Sequence, residues 1–153
     1  MAHVELSLSE PFVDPGRDTP PEAGGSLERW ARAVAEADEP CLVLEHASVV
    51  VESVIMAVSP AAARMLGFPD RDSAVGRRLF DVLQLVDFTS SPLALPGGDL
   101  EKIPPVLASS SGRLARGLLR VRTPDEVLTV DAIATPLFDA GGPVGSLTFF
   151  SQI

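Results

Sequence analysis

At 153 residues, with 46% hydrophobic and 22% charged side chains, the chain has the size and composition of one ordinary globular domain. Its net charge of −9, from 12 basic and 21 acidic residues, argues against nucleic acid and anionic membranes as partners, because both attract clustered Lys and Arg. We find no apolar stretch close to the roughly 20 residues that cross a bilayer, and no N-terminal secretion signal. We therefore expect a cytoplasmic protein.

The first 26 residues are rich in Pro and Gly and show neither helical nor strand periodicity, which predicts a flexible acidic arm. This arm holds five acids and one arginine, so it carries −4 of the total charge and leaves −5 for residues 27–153. Leu6, Leu8 and Phe12 are apolar for a solvated tail. Packing of part of the arm on a neighbouring surface therefore stays open.

A helix is predicted over residues 27–37, with Ser26 as its capping residue. Its apolar side chains repeat at helical spacing and form one stripe, made of Leu27, Trp30, Ala31, Val34 and Ala35. The stripe can cover the open face of its own sheet or pack against a second chain. We favour the second chain, which makes these five residues the candidate interface of a homodimer.

Residues 40–58 contain two strand-like runs, Pro40 to Leu44 and Val49 to Val58, separated by a polar turn. The only cysteine, Cys41, lies in the first run. An internal disulfide is therefore excluded, and a buried structural thiol is expected.

Residues 59–112 form a helical middle. Ser59 and Pro60 predict the start of a short helix that ends at Gly67. Apolar residues at helical spacing predict a second helix from Leu79 to Val86, and a third covers 102–109.

Three strands separated by short turns are predicted within residues 114–152, as an antiparallel meander. Together with the first two strands they indicate an α+β domain with a five-stranded antiparallel sheet.

The phrase VSPAAARMLGF at 58–68, followed by AVGRRLFDVL at 74–83, stands between paired strands and a three-strand ending. In this arrangement the sequence resembles the PAS domain family over residues 27–153. The resemblance implies the strand order 2-1-5-4-3, short helices on one face of the sheet and an N-terminal amphipathic helix outside it. The bias toward Ala, Arg, Gly and Pro adds the expectation of a GC-rich bacterial, in particular actinobacterial, source. Because the sequence shows no kinase, cyclase or helix-turn-helix output, we expect a small stand-alone protein.

PAS domains are sensors and association modules that bind haem, flavin, metabolites or other proteins. Residues 76–80 lack the cysteine of flavin photoreceptors, and neither His3 nor His46 stands where haem-binding relatives place their ligand. The resemblance therefore implies neither haem nor flavin. The walls of its pocket would be apolar, which fits an apolar ligand or a pocket filled by its own side chains. The candidates are Val49, Val51, Met56, Leu79, Phe80, Leu83, Val106, Leu107 and Leu119.

Catalytic motifs are missing from the sequence, which has no Gly-x-Ser-x-Gly elbow, phosphate-binding loop, dinucleotide fingerprint or metal-ligand spacing. We therefore predict a non-enzymatic sensory or protein-interaction module. Two alternatives stay open, a sensor domain of a larger signalling protein and a small enzyme on a similar α+β scaffold.

Asp131 interrupts an apolar strand and needs a partner for its charge. Arg116, Arg120 and Arg122 alternate along the preceding strand and can supply one across the sheet. We predict an ion pair between Asp131 and Arg120, and recognition of a ligand or partner by Asp131 is the alternative.

Overall fold

The computed structural model describes residues 25–153, so residues 1–24 of the predicted arm lie outside the described residues. Within residues 25–153 there are six strands, which we number in chain order as β1 Cys41–Glu45, β2 Val54–Val58, β3 Gln84–Val86, β4 Ala115–Arg122, β5 Val127–Asp139 and β6 Gly142–Gln152. The helices are α1 Ser26–Ala35, α2 Pro60–Leu66, α3 Arg71–Ala74, α4 Leu79–Val82, α5 Gly97–Leu100 and α6 Pro104–Ser111. A turn of 3-10 helix covers Val50–Glu52.

The strands form one antiparallel sheet in the order β2-β1-β6-β5-β4-β3. The predicted α+β fold is therefore confirmed, and the five predicted strands follow one another in the predicted order. The sheet gains a sixth strand, β3, which pairs with the outer edge of β4.

The new strand corrects the predicted helix from Leu79 to Val86, which ends already at Val82. Leu83 is extended, with φ −101° and ψ 112°, so the chain leaves the helix and pairs as β3. Leu83 and Leu85 are both buried in the core. Their spacing of two fits a strand as well as the longer run fits a helix, and pairing with β4 decides between them.

The second predicted strand also begins later than expected, at Val54 instead of Val49. From Ile55 onward the edge of β2 is held by the segment before α4, since Ile55 N donates to Arg77 O (2.9 Å) and Gly76 N donates to Ile55 O (2.8 Å). This segment satisfies backbone groups that an edge strand would otherwise leave open.

Ser59 joins β1 to the start of α2. Its Oγ accepts from Ala62 N (3.2 Å) as the predicted helix cap, and it also accepts from Cys41 N (3.0 Å) and donates to Glu39 O (2.7 Å). Gly67 ends α2 in the left-handed region at φ 80°, where a glycine meets no Cβ penalty. The short helix is therefore fixed at both ends as predicted.

The two larger clusters of buried side chains among the described residues lie on opposite faces of the sheet. The inner cluster packs beneath the helices that follow β2, and includes Leu42, Leu44, Ile55, Leu79, Val106, Leu119, Val121 and Phe150. The outer cluster joins α1 to the other face through Leu27, Trp30, Val34, Val43, Leu147 and Phe149. α1 thus lies on the face opposite the remaining helices.

α1 approaches the sheet closely at Gly145. A Cβ there would collide with the carbonyl oxygen of Leu44 and come within 2.7 Å of Leu27 Cδ2. At the other end of α1, the guanidinium of Arg71 donates to the carbonyl of Ala35. Both ends of the helix are therefore fitted to this chain's own domain.

Candidate functional site

The predicted dimer stripe on α1 is used inside the chain. Leu27, Trp30 and Val34 are buried against the sheet, while Ala31 and Ala35 are half-buried at its margin. The stripe therefore covers the sheet of its own chain, which is the alternative to the destination that we favoured, and the homodimer interface predicted for these five residues stays a prediction. The physical reason is that the outer face of β1 and β6 is apolar, and a ten-residue helix joined to β1 by a short connection can cover it directly.

α1 covers only part of this outer face, over β1, β2, β6 and the end of β5. The register identifies what lies beyond it, because paired residues point to the same face. Phe149 contacts α1 and pairs with Ile133, which in turn pairs with Arg116. The same face of β4 and β5 therefore presents Arg116, Leu118, Arg120, Asp131 and Ile133, which we call the open half.

The open half combines exposed apolar surface with charge. Leu118 is 53% exposed, and Ile133 is half-buried beside it. Arg116 and Arg120 flank Leu118 along β4, and the directly opposite residue on β5 is Asp131. Leu118 and Ile133 together form the apolar part of the open half, with the two arginines and Asp131 beside them.

Asp131 pairs with Arg116, which corrects the predicted pair with Arg120. Arg116 Nε donates to Oδ1 of Asp131 (3.2 Å) and Arg116 Nη2 donates to Oδ2 (2.7 Å), in a two-bond fork. Asp131 is only 7% exposed, so its charge is compensated from a more exposed partner. Both arginines lie diagonally across from Asp131, and Arg120 is held elsewhere.

Arg120 fixes the loop after β3 instead. Its Nη1 donates to Asp87 O (3.0 Å) and to Thr89 O (2.9 Å), and its guanidinium carbon lies 5.8 Å from the centre of the Phe88 ring. Hydrogen bonds from the Thr89 side chain and backbone, with a smaller effect of Arg120, hold the pKa of Asp87 below its usual value. These contacts keep the 60% exposed Phe88 at the border of the open half.

The nine predicted pocket residues separate into three groups. The inner cluster buries or half-buries five of them, namely Leu79, Phe80, Leu83, Val106 and Leu119. Met56 instead packs with α1 on the outer face. The remaining three are exposed at the surface and line no inner wall, and they are Val49, Val51 and Leu107.

Each of these four misplacements has a local cause. Val49 and Val51 belong to the loop and 3-10 turn before β2, and Leu107 lies on the exposed side of α6. The register of β1 and β2 shifts between Val43 and Leu44, which turns Met56 away from the inner face.

A groove of about 260 Å³ borders the inner cluster where α4, β3 and α5 meet. Its walls are mostly apolar, with Gln84 and Arg122 as polar members and with Phe80, Leu83, Leu85, Val86, Ala94, Leu95 and Leu100. Only Phe80 and Leu83 among these walls were predicted as pocket residues. The others follow from β3, which the sequence pattern did not reveal.

Cys41 is fully buried on the outer face beneath α1. Burial raises the pKa of its thiol from 9.0 to about 12, although the hydrogen bond with Ser59 opposes this effect. The thiol therefore stays protonated at neutral pH and is a poor nucleophile.

Among residues 25–153, no three His, Cys, Asp or Glu side chains come together in a way that could hold a metal ion. None of the helices in this range has the length and apolar character needed to cross a bilayer. His46 directly follows β1, where its backbone N donates to Val144 O (2.9 Å).

No protein-family model matches the chain, and no curated protein matches it in sequence. Solved structures do match. The PAS domain of a protein from Colwellia psychrerythraea is 16% identical with a TM-score of 0.55, over 83% of this chain and 96% of that chain. A light-oxygen-voltage domain studied with a flavin analogue is 13% identical with a TM-score of 0.55, over 82% and 84%.

The VqmA dimer of Vibrio cholerae, a protein with a target DNA, is 13% identical with a TM-score of 0.55, over 82% of this chain and 51% of that chain. These structures share the overall fold of this chain over more than four fifths of its length. The chain has the PAS fold.

Proposed function

We propose that this chain is a non-enzymatic PAS module of the bacterial cytoplasm that senses and transmits signals through protein contacts on the open half of its sheet. The observation that carries this proposal is the combination of a side-chain-filled inner cluster with an exposed apolar centre at Leu118 on the outer face. Such a module can pass on a change through its surface without a reaction of its own.

The partner that we propose is a second copy of the chain. A two-fold interface uses Leu118 and Ile133 twice, so each apolar contact contributes from both sides. Leu118 exposes about half of its surface, and burying a leucine fully is worth roughly 1.5 to 3 kcal/mol. The flanking arginines would form the charged rim of this interface. A separate signalling protein is the alternative partner.

The proposal includes neither haem nor flavin. Residues 76–80 contain no cysteine for a flavin adduct, and the buried Cys41 carries a protonated thiol. His46 stands in the turn after β1, whereas haem-binding relatives use a helix before the third strand of their sheet. Nucleic acid is also left out, because residues 25–153 carry a net charge of −5.

A second candidate function is the sensing of a small apolar ligand in the groove between α4, β3 and α5. Its volume of about 260 Å³ and its leucine-rich walls favour a compact, uncharged or singly acidic molecule, with Arg122 at one side. Because β3 pairs with β4, a ligand in this groove would press on the edge of the strand that bears Leu118.

Native mass spectrometry of the full chain tests these proposals together. We expect masses of one and two chains, with the share of two rising with concentration and with no added cofactor mass. A constant extra mass that denaturation removes would instead support the ligand-sensing function. A chain that stays single up to about 500 μM would contradict self-association.

A further inference from the structure

We propose that residues 1–24 dock in cis on the open half, over Leu118 and Ile133, when no second copy occupies it. This inference rests on the proposed function, in that it takes the open half as the contact surface. It adds a regulatory element, because the chain's own segment would compete with the partner for the same surface.

The surface has an unusual charge for this acidic protein. Four arginines, Arg113, Arg116, Arg120 and Arg122, fall within ten residues at β4, and no acidic residue occurs from 102 to 124. Asp131 is the only acid among the five residues of the open half. Asp131 compensates Arg116, so the open half keeps one excess positive charge, that of Arg120, beside the exposed Leu118.

The segment before α1 has the complementary composition. Residues 1–24 contain the five acids Glu5, Glu10, Asp14, Asp18 and Glu22 against Arg17 alone. Apolar residues are interspersed among them, at Val4, Leu6, Leu8, Phe12 and Val13. A stretch with this mixture can match both the arginines and the apolar centre of the open half.

The charge of the open half also favours residues 1–24 over a second copy of the chain as its occupant. Two open halves that face each other would bring the excess positive charges of two Arg120 side chains together, and like charges repel. An acidic segment neutralises this charge instead. The cis contact is therefore the electrostatically favoured one, and a second copy must displace it.

The length of the segment satisfies the geometry. Gly25, the residue before α1, lines the same shallow cavity as Asp139 at the end of β5. Leu118 pairs with Asp131, eight residues back along β5, which corresponds to about 26 Å. The 13 residues from Gly25 to Phe12 can span up to about 43 Å. Covalent attachment also gives the segment an effective concentration in the millimolar range, so modest contacts suffice.

Paramagnetic relaxation in the full chain tests this docking directly. A nitroxide is attached through Ser9→Cys, and the buried, protonated Cys41 is left unlabelled at neutral pH. We expect the amide signals of Leu118 and Ile133 to lose more than half of their intensity. The signals of Val49 and Val51, near the opposite edge of the sheet, should keep theirs.

Three further samples decide what causes the broadening. In an equal mixture of isotope-enriched chain without label and unenriched chain with label, kept at a concentration where sedimentation shows single chains, we expect no broadening, and broadening there would overturn docking in cis. Leu118→Asp should restore the signal of Ile133, whereas the matched Val49→Asp, at an equally exposed valine, should change nothing. Equal results for the two variants would also overturn the proposal.

These measurements distinguish failure of docking in cis from failure of the proposed self-association. Broadening within one chain, in a protein that stays monomeric at every concentration, supports the docking and contradicts self-association. A concentration-dependent dimer without broadening at Leu118 overturns the docking and leaves self-association in place.

Discussion

Arg116 on β4 donates two hydrogen bonds to Asp131 on β5, and so compensates the charge of a carboxylate that is only 7% exposed in the centre of a sheet face.

Arg116→Ala would leave the carboxylate of Asp131 without this partner. We expect a loss of about 1 to 2 kcal/mol in the free energy of unfolding, less than for a fully buried pair because Arg116 itself is half exposed. Urea unfolding followed by circular dichroism measures the loss. Arg113→Ala, at an exposed residue before β4, is the control and should change stability by less than about 0.5 kcal/mol. Equal losses for both variants would argue against a specific role of the pair.

Ser59 gives a second test, because its hydroxyl serves three backbone groups at once. Ser59→Ala removes the cap of α2 and leaves the buried N–H of Cys41 without its acceptor, and we expect a loss of about 2 to 4 kcal/mol. Asp70→Ala removes only an exposed cap, the acceptor of Ser73 N (2.7 Å), and should lose about 1 kcal/mol. Chemical denaturation of both variants checks the order. A smaller loss for Ser59→Ala than for Asp70→Ala would contradict this account.

Trp30 should report on the attachment of α1 to its own sheet. It is the only tryptophan in the chain and is 7% exposed against the outer cluster. Trp30→Ala should therefore lower the free energy of unfolding by about 3 to 5 kcal/mol. In the wild type, tryptophan fluorescence and circular dichroism should show one common transition. A variant that keeps full stability and only changes its oligomeric mass would restore the intermolecular role first predicted for the stripe.

The buried thiol of Cys41 predicts a pH dependence. The folded chain holds this proton up to about pH 12, whereas the unfolded thiol releases it near 9.0. Between these values the folded state binds more protons, so the free energy of unfolding falls as pH rises, with a slope of at most about 1.4 kcal/mol per pH unit from this group. Below pH 9 the contribution is fully present. Cys41→Ala should remove this part of the slope between pH 9 and 10.5, and an unchanged slope would show that other groups cause it.

Much of the fold follows from local sequence patterns. Ser59-Pro60 and Gly67 marked both ends of α2, and the alternating runs in 114–152 predicted the meander. β3 was missed because three residues at the edge of a sheet become a strand only through pairing with β4. The apolar residues of β3 also continue the helical spacing of α4, so the sequence pattern extended the helix through them. Tertiary pairing therefore decided what local pattern could not.

The candidate surface was harder to predict than the fold. The sequence placed Trp30 on an apolar stripe but could not say which sheet the stripe covers, because helical periodicity identifies the apolar face and not the surface that it meets. The ion pair shows the same limit, because Arg116 and Arg120 are equivalent diagonal neighbours of Asp131. The loop carbonyls of Asp87 and Thr89, far away in sequence, decide that Arg120 turns elsewhere. The alternation of Arg116, Leu118 and Arg120 was the available signal for the open half.

Sedimentation equilibrium over a wide concentration range tests most directly whether the open half carries the function. The wild type should associate reversibly toward two chains, and Leu118→Asp should weaken this association by about tenfold or more, because it places a charge at the apolar centre of the surface. Val49→Asp changes a residue of matching exposure near the opposite edge of the sheet, and this variant should associate like the wild type. Circular dichroism should show all three chains folded. Identical association of the two variants would contradict the assignment of the open half as the contact surface.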